Sequence, residues 1–133
     1  FERMKHLIPK VVMEKEENYE VIGINQQWRL SKYCPGDHFS PHVDAPQKDQ
    51  ALKSMFTLNI YLNNDFSGGN TQFIFEVMEN RQTRTVTIVP NTGLALIFRQ
   101  PPEKHYVHEG HVVTTGYKYL LRSDIMYKCV SVK

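Results

Sequence analysis

The chain has 133 residues, which is enough for one hydrophobic core and too few for two independent domains. Its 41% hydrophobic and 23% charged residues are typical of an ordinary globular protein, and its formal net charge of +2 at pH 7 gives no sign of a nucleic-acid-binding surface. No apolar run reaches the roughly 18 to 20 residues that a membrane-spanning helix requires. Composition therefore predicts neither nucleic acid nor a membrane as a partner.

The two cysteines, Cys34 and Cys129, lie near opposite ends of the chain. A secreted scaffold of this length that relied on disulfides would normally contain more of them. We therefore expect two free thiols and an intracellular location, either cytoplasmic or nuclear.

The first 26 residues mix charged residues with scattered apolar ones, and Pro9 interrupts them. We predict a short helix over residues 9–18 within this segment. Because the first residue is phenylalanine rather than methionine, we also expect residues 1–26 to be a flank truncated from a longer chain.

From Gln27 onward the sequence consists of short segments rich in β-branched and aromatic residues, separated by turn sequences. The segments are QWRLSKY, HFSPHVD, SMFTLNIYLN, NTQFIFEV, TRTVTIVP, GLALIF, YVHEGHVV and GYKYLLRSDIMY. Many short strands with turns every 8 to 12 residues or so are typical of a β-sandwich, a jelly roll or a barrel. We therefore predict one mainly β domain over residues 27–133.

The stretch YCPGDHFSPHVDAP, residues 33–46, places His42 and Asp44 two residues apart after a Pro-Gly turn. In a strand, residues i and i+2 point to the same face, so an imidazole nitrogen and a carboxylate oxygen would be directed at a common point. A lone H-x-D pair also fits a solvated loop. The pair becomes a convincing metal site only with a third ligand.

His108, in HYVHEG, is the natural third ligand, because a late strand of a jelly roll can fold back beside an early one. Taken alone, it also fits an ordinary polar strand residue. Two histidines and one carboxylate with open coordination positions form the facial triad of non-haem Fe(II) oxygenases. The three residues are therefore candidate ligands of an Fe(II) site, with the solvated loop and the ordinary strand histidine still open as alternatives.

Four blocks of the sequence resemble the 2-oxoglutarate and Fe(II)-dependent dioxygenases, in particular their prolyl 4-hydroxylase-like branch. The blocks are RLSKYCPGDHFSPHVD, LNIYLNNDFSGGNTQF, VPNTGLALIF and HEGHVVTTGYKYLLRSDIMY, and they occur in the order typical of that family. Together they lie within residues 27–127. The resemblance implies a double-stranded β-helix, or jelly-roll, core preceded by the short helical flank.

The resemblance implies that His42, Asp44 and His108 are the catalytic ligands of Fe(II), and it also implies the contacts of the co-substrate. Lys118, ten residues after His108, matches the family's lysine for the distal carboxylate of 2-oxoglutarate, and Tyr33 and Thr71 match positions whose hydroxyls bind that carboxylate. Arg122 has the same strand parity as Lys118, and some related oxygenases use arginine for this carboxylate. We favour Lys118 and expect Arg122 at the cleft entrance or in a structural ion pair, but this alternative stays open.

The family reaction is the hydroxylation of a C–H bond with O2 as the oxidant, with succinate and CO2 as co-products and ascorbate as an accessory reductant. The branch suggests a protein or peptide substrate, such as a proline side chain, selected by residues 44–54 and 78–84. Val112, however, replaces a proline common in prolyl hydroxylases. The alternatives are a small-molecule or nucleic-acid oxygenase of the same fold, a non-catalytic metal-binding jelly-roll module, and a cupin-like metalloprotein.

Overall fold

Short antiparallel strands account for most of the structure. The computed structural model describes residues 1–49, 51–77, 82–102 and 105–130. Within them, one 3-10 turn, Lys5–Leu7, precedes all the strands. The strands are β1 (Val11–Glu14), β2 (Glu17–Ile24), β3 (Arg29–Tyr33), β4 (Phe39–His42), β5 (Lys48–Asp49), β6 (Leu52–Tyr61), β7 (Ser67–Gly68), β8 (Thr71–Val77), β9 (Gln82–Ile88), β10 (Ala95–Arg99), β11 (Val107–Gly110), β12 (Val113–Thr115) and β13 (Lys118–Val130).

The larger sheet is organised around its longest strand, β13. Strand order is β1-β2-β13-β6-β10, and β3 also pairs with β13 while β5 pairs with β6. The first half of β13 pairs with β3, from Lys118 opposite Tyr33 to Arg122 opposite Arg29, and its second half pairs with β2. Strand β6 lies along its other side. Strands β3, β13 and β6 therefore form a continuous three-strand surface.

The smaller sheet has the order β4-β11-β8-β9, and β7 and β12 form a separate two-stranded ribbon. All its strand pairs are antiparallel. Residues of both sheets line one cleft, which lies between the β3-β13-β6 surface and the β4-β11 pair. This mainly β, two-sheet arrangement is consistent with the predicted jelly roll.

The predicted N-terminal helix is wrong, because residues 11–24 form a β-hairpin. Strands β1 and β2 pair in register from Val11 opposite Glu20 to Glu14 opposite Glu17. The two turn residues, Lys15 and Glu16, have φ values of 50° and 64°, as a tight hairpin turn between twisted strands requires. The backbone of β2 pairs with β13, and this pairing favours a strand over a helix in this segment.

The main hydrophobic core lies on the large sheet and includes the segment before the hairpin. Its buried members are Ile8, Met55, Leu58, Ile125 and Tyr127. Tyr127 also donates its hydroxyl to the carbonyl oxygen of Pro9 at 2.8 Å. The first residues of the chain therefore pack against the same sheet that carries the site.

Two other sequence expectations concern the thiols and the membrane. Cys34 and Cys129 are both free, as predicted. Among the described residues, no helix is long and apolar enough to cross a membrane.

Candidate metal centre and co-substrate cleft

The structure brings the three predicted metal ligands together. Strand β4 ends at His42, and Asp44 follows two residues later; β11 pairs with β4 so that His108 lies directly opposite His42. The two imidazole rings have centroids 4.2 Å apart. One ligand atom from each of His42, Asp44 and His108 lies within 4.8 Å of the others.

Backbone carbonyls fix the orientation of both histidines. Nδ1 of His42 lies 2.8 Å from the carbonyl oxygen of Ser40, and Nδ1 of His108 lies 2.9 Å from that of Tyr106. A carbonyl oxygen only accepts hydrogen bonds, so each Nδ1 carries the proton and each Nε2 keeps its lone pair. The Nε2 atoms lie 3.4 Å and 3.9 Å from the two carboxylate oxygens of Asp44. All three side chains therefore present ligand atoms to one point.

Burial keeps His108 suited to metal binding. Its side chain packs against the rings of Phe73 and Phe98, with centroid distances of 5.4 Å and 4.8 Å. Removal from solvent lowers the pKa of His108, although the carbonyl of Tyr106 and the carboxylate of Asp44 oppose this shift. The neutral imidazole, which is the form that binds metals, is favoured.

Asp44 is 5% exposed, and both of its carboxylate oxygens already have a donor. Arg122 Nη1 lies 3.0 Å from Oδ1, and the hydroxyl of Thr57 donates to Oδ2 at 2.8 Å. These contacts give both oxygens of the buried carboxylate a donor and fix its orientation. Two imidazoles and one carboxylate, grouped on one side of a cleft, fit a divalent iron with coordination positions left open.

The cleft that contains these ligands has a volume of about 220 Å³. It is lined by Arg29, Ser31, Tyr33, Phe39, His42, Asp44, Asn59, Thr71, His108, Glu109, Gly110, Lys118, Leu120 and Arg122. Every site residue predicted from the sequence is therefore in the same cleft.

Lys118 is a buried cation in this cleft. It is 3% exposed, and its Nζ donates to the carbonyl oxygen of Gly69 at 2.6 Å. Its ammonium lies 5.1 Å from the ring centroid of Tyr33. No carboxylate within the described ranges forms an ion pair with it, and desolvation lowers its pKa to about 8. A buried ammonium without a carboxylate is a ready partner for an anionic ligand.

Two hydroxyl groups accompany Lys118. Thr71, 5% exposed, shares a hydrogen bond of 2.7 Å with the hydroxyl of Tyr61. Tyr33 lies opposite Lys118 in the strand register, and burial raises the pKa of its phenol, which therefore stays protonated at neutral pH. Tyr61 was not among the predicted site residues.

Arg122 lies on the same strand as Lys118, beside Asp44. The two residues are four positions apart on β13, which corresponds to about 13 Å along a strand. Arg122 lies between Arg29 of β3 and Asn59 of β6 in the register. Arg122 Nε and Asn59 Oδ1 are buried without a hydrogen-bond partner in the described part of the chain, which suits them to contact a molecule bound in the cleft.

Strand β6 supplies three polar side chains that the sequence-based prediction did not assign. Thr57 contacts Asp44, Asn59 lines the cleft, and Tyr61 contacts Thr71. The signal was present in FTLNIYLN, where polar residues at alternate positions interrupt an apolar strand and so share one face. Only the pairing with β13 shows that this face points to the site.

Two solved structures of greater length share this fold. A 2OG-Fe(II) oxygenase family oxidoreductase from Burkholderia pseudomallei is 17% identical, with a TM-score of 0.57 over 82% of this chain and 44% of its own. A Pseudomonas putida prolyl-4-hydroxylase is 18% identical, with a TM-score of 0.51 over 74% of this chain and 50% of its own. This chain thus spans about half the length of either structure. No curated protein sequence matched it.

A family model provides the assignment. The model described as the 2OG-Fe(II) oxygenase superfamily matches residues 28–123, most of the chain, and the matched range includes both histidines, the aspartate and the lysine of the cleft. The chain belongs to the 2OG-Fe(II) oxygenase superfamily.

Proposed function

We propose that this chain is the catalytic domain of a 2-oxoglutarate- and Fe(II)-dependent dioxygenase that hydroxylates a C–H bond. The observation that carries the proposal is the presence, in one cleft, of the His42-Asp44-His108 cluster, in which Asp44 and His108 are buried, and of a buried ammonium with no carboxylate partner among the described residues. A plain metal-binding module would need the cluster but not Lys118. The superfamily assignment supports the same activity.

In this proposal His42 Nε2, His108 Nε2 and one oxygen of Asp44 hold Fe(II). When bound, the iron supplies the redox chemistry that couples decarboxylation of 2-oxoglutarate, with O2, to oxidation of the substrate. The carbonyl oxygens of Ser40 and Tyr106 fix the two imidazole rings, and the hydroxyl of Thr57 fixes the carboxylate. The rings of Phe73 and Phe98 keep water from one side of His108.

Lys118 is our proposed partner for the distal carboxylate of 2-oxoglutarate. It lies in the same pocket as the hydroxyl of Thr71 and the phenol of Tyr33, so one ammonium and two hydroxyl donors would surround the anion. Arg122 is less suitable, because it lies 3.0 Å from the metal ligand Asp44. When the keto-acid end of 2-oxoglutarate chelates the metal, its distal carboxylate would lie too far from the metal to contact Arg122.

For the substrate we propose a protein or peptide side chain such as proline. The likeness in fold to a prolyl-4-hydroxylase supports this choice. Phe39, 48% exposed and stacked edge-on against His42 at 4.0 Å, gives the cleft an apolar surface beside the metal ligands that suits a proline ring. Of the two segments predicted to select the substrate, residues 44–54 begin in the cleft at Asp44, and residue 50 lies outside the described residues. Residues 78–81 of the segment 78–84 also lie outside them.

The test is succinate formation from 2-oxoglutarate by the protein supplied with Fe(II), O2 and ascorbate. We expect turnover by the wild type and its loss in His108→Ala. The matched control is His111→Ala, which removes a nearby histidine whose ring contacts Glu109 rather than the cluster. Equal succinate formation by wild type and His108→Ala would contradict the proposal. Peptides containing proline, added to the same assay, test the substrate class through hydroxylated product.

A further inference from the structure

A chain of buried hydrogen bonds connects Asp44 to residues that do not line the cleft. The hydroxyl of Thr57 donates to Asp44 Oδ2 at 2.8 Å, and Gln100 Nε2 donates to Thr57 Oγ1 at 3.0 Å. Ser54 Oγ donates to Gln100 Oε1 at 2.6 Å, and the backbone N–H of Gln47 donates to Ser54 Oγ at 2.7 Å. Thr57, Gln100 and Ser54 are each at most 1% exposed.

The direction of each hydrogen bond follows from the groups at the two ends. The backbone N–H of Gln47 only donates, so Ser54 accepts there and directs its own proton to Gln100 Oε1. The amide nitrogen of Gln100 then faces Thr57 and, at 2.8 Å, Asp124 Oδ1. With its oxygen accepting from Gln100, Thr57 directs its single proton to Asp44. The amide of Gln100 therefore determines which way Thr57 donates.

The orientation of Asp44 depends on this bond because a second donor competes for the carboxylate. Arg122 holds Oδ1 at 3.0 Å with a full positive charge, whereas Thr57 holds Oδ2 with a neutral hydroxyl. Without the hydroxyl, the ion pair with Arg122 would be the stronger remaining constraint. Oδ1, which also lies 3.4 Å from His42 Nε2, would stay held by Arg122, whereas Oδ2, which lies 3.9 Å from His108 Nε2, would be free to turn away from His108.

We propose that Gln100 is a positioning residue for the metal centre, acting through Thr57 to keep Asp44 directed at His42 and His108. The inference rests on the proposed function in one respect, that Asp44 is a metal ligand. Through Ser54, Gln100 also connects Asp44 to the backbone segment that follows Asp44 in the chain. Gln47, three residues after Asp44, exchanges two hydrogen bonds with Ser54, one from each backbone N–H.

The experiment is a titration of the full chain with Co(II), followed by its visible absorption, so that metal affinity is measured without turnover. Thr57→Val removes only the hydroxyl, and Gln100→Glu removes both amide donors at nearly constant volume. We expect each to weaken Co(II) binding by about 10-fold or more, the range typical of groups that orient metal ligands. Thr57→Ser, which keeps the hydroxyl, should bind within about 3-fold of wild type.

Tyr127→Phe is the control for a purely structural role, because it removes another buried hydroxyl, bonded to Pro9, without touching the network. We expect it to lower the unfolding temperature but leave Co(II) affinity unchanged. If Gln100→Glu and Thr57→Val lower stability in the same way and also leave affinity unchanged, the inference is overturned.

Two cases need a separate measurement: a Gln100→Glu variant that does not fold, and a cluster that is not a metal site. Should Gln100→Glu fail to fold, Ser54→Ala replaces it, since this variant removes the donor that fixes the Gln100 amide, together with the acceptor of the Gln47 N–H. Unchanged Co(II) affinity would then contradict the role of Gln100. If the proposed metal site is wrong, wild type would bind Co(II) no more tightly than His108→Ala. If only the role of Gln100 is wrong, wild type would still bind Co(II) more tightly than His108→Ala.

Discussion

The two ends of the cleft differ in how completely their charges are satisfied. At the metal end, the carboxylate of Asp44 has a guanidinium and a hydroxyl as donors, and both histidines have fixed protons. At the lysine end, Lys118 has one carbonyl oxygen and two aromatic rings nearby but no carboxylate in the described part of the structure.

This difference shows what each end is built to bind. The metal end presents two imidazole nitrogens and one carboxylate, each held by a neighbouring group, which suits a cation. The lysine end carries an uncompensated buried charge, which costs stability in the free protein and is recovered only when an anion binds. A protein that merely stored a metal would have no reason to keep this second, unfavourable feature.

The largest expected effect comes from breaking the metal end with Asp44→Ala. Loss of the only anionic ligand should weaken Fe(II) or Co(II) binding by at least roughly 100-fold and abolish succinate formation, because ligand loss exceeds the effect of losing an orienting group. Calorimetric titration with Co(II) measures the affinity. Retained tight binding would show that the cluster is not the metal site.

Lys118→Ala breaks the lysine end alone. We expect the KM for 2-oxoglutarate to rise by about 30-fold or more, because a charge-assisted contact to a carboxylate in a buried site is lost. Metal affinity should change by less than about 3-fold. Succinate assays across 2-oxoglutarate concentrations measure the first quantity and Co(II) titration the second. An unchanged KM would transfer the carboxylate-binding role to Arg122.

The same charge predicts a pH dependence of stability. The pKa of Lys118 is lowered from 10.5 to about 8 in the folded protein, so its ammonium opposes folding by on the order of 3 kcal/mol at pH 7. As pH rises from about 8 to 10.5, the folded state loses this proton while the unfolded state keeps it, and the penalty disappears.

Lys118→Met tests this prediction by comparison with wild type at each pH. Without metal or co-substrate, the variant should be the more stable protein at pH 7, and its advantage should shrink toward zero as the pH approaches 10.5. Urea unfolding at several pH values measures the difference. An advantage that does not change with pH would mean that burial of the charge is not what the substitution relieves.

Arg122→Gln tests whether the guanidinium acts on the metal end or on the lysine end of the cleft, and its expected effect on KM is smaller than that of Lys118→Ala. Because the guanidinium of Arg122 is already paired with Asp44, we expect the KM for 2-oxoglutarate to rise by less than about 5-fold. Co(II) affinity should change more than this KM does. A KM increase as large as that of Lys118→Ala would show that the guanidinium also binds the co-substrate.

A smaller effect than that of Lys118→Ala is expected for Thr71→Val. The hydroxyl of Thr71 is one of two that accompany Lys118, and Tyr61 already shares a hydrogen bond with it. Loss of one neutral hydrogen bond corresponds to roughly 1 kcal/mol, so KM for 2-oxoglutarate should rise by about 3- to 10-fold. The same succinate assay measures it, and an effect exceeding that of Lys118→Ala would reverse the proposed ranking.

The mainly β fold and the cluster of site residues could be predicted because their signals are local or belong to a known motif. His42 and Asp44 share a face through strand periodicity, and His108 joins them because β11 pairs with β4 in register. Turn sequences marked most strand boundaries from β3 onward. The short strands β5 and β7 carried no such signal, because each consists of only two residues.

The remaining features depend on contacts between distant residues. The sequence did not predict the N-terminal hairpin, because its charged residues are typical of an exposed helix. The pairing of β2 with β13, which is not visible in the sequence, favours strands. Gln100 follows β10 in an unremarkable sequence, and its three side-chain partners come from β6 and β13. No spacing rule within the chain connects it to Asp44.

The most direct measurement is an anaerobic titration of the Fe(II)-loaded protein with 2-oxoglutarate, followed through the weak visible charge-transfer absorption that chelation of Fe(II) by the keto acid produces. The two-ended cleft predicts a saturable band in wild type, a shift of the midpoint to higher 2-oxoglutarate in Lys118→Ala, and no band in His108→Ala. Wild-type protein that binds Fe(II) but gives no band at saturating 2-oxoglutarate would contradict the account.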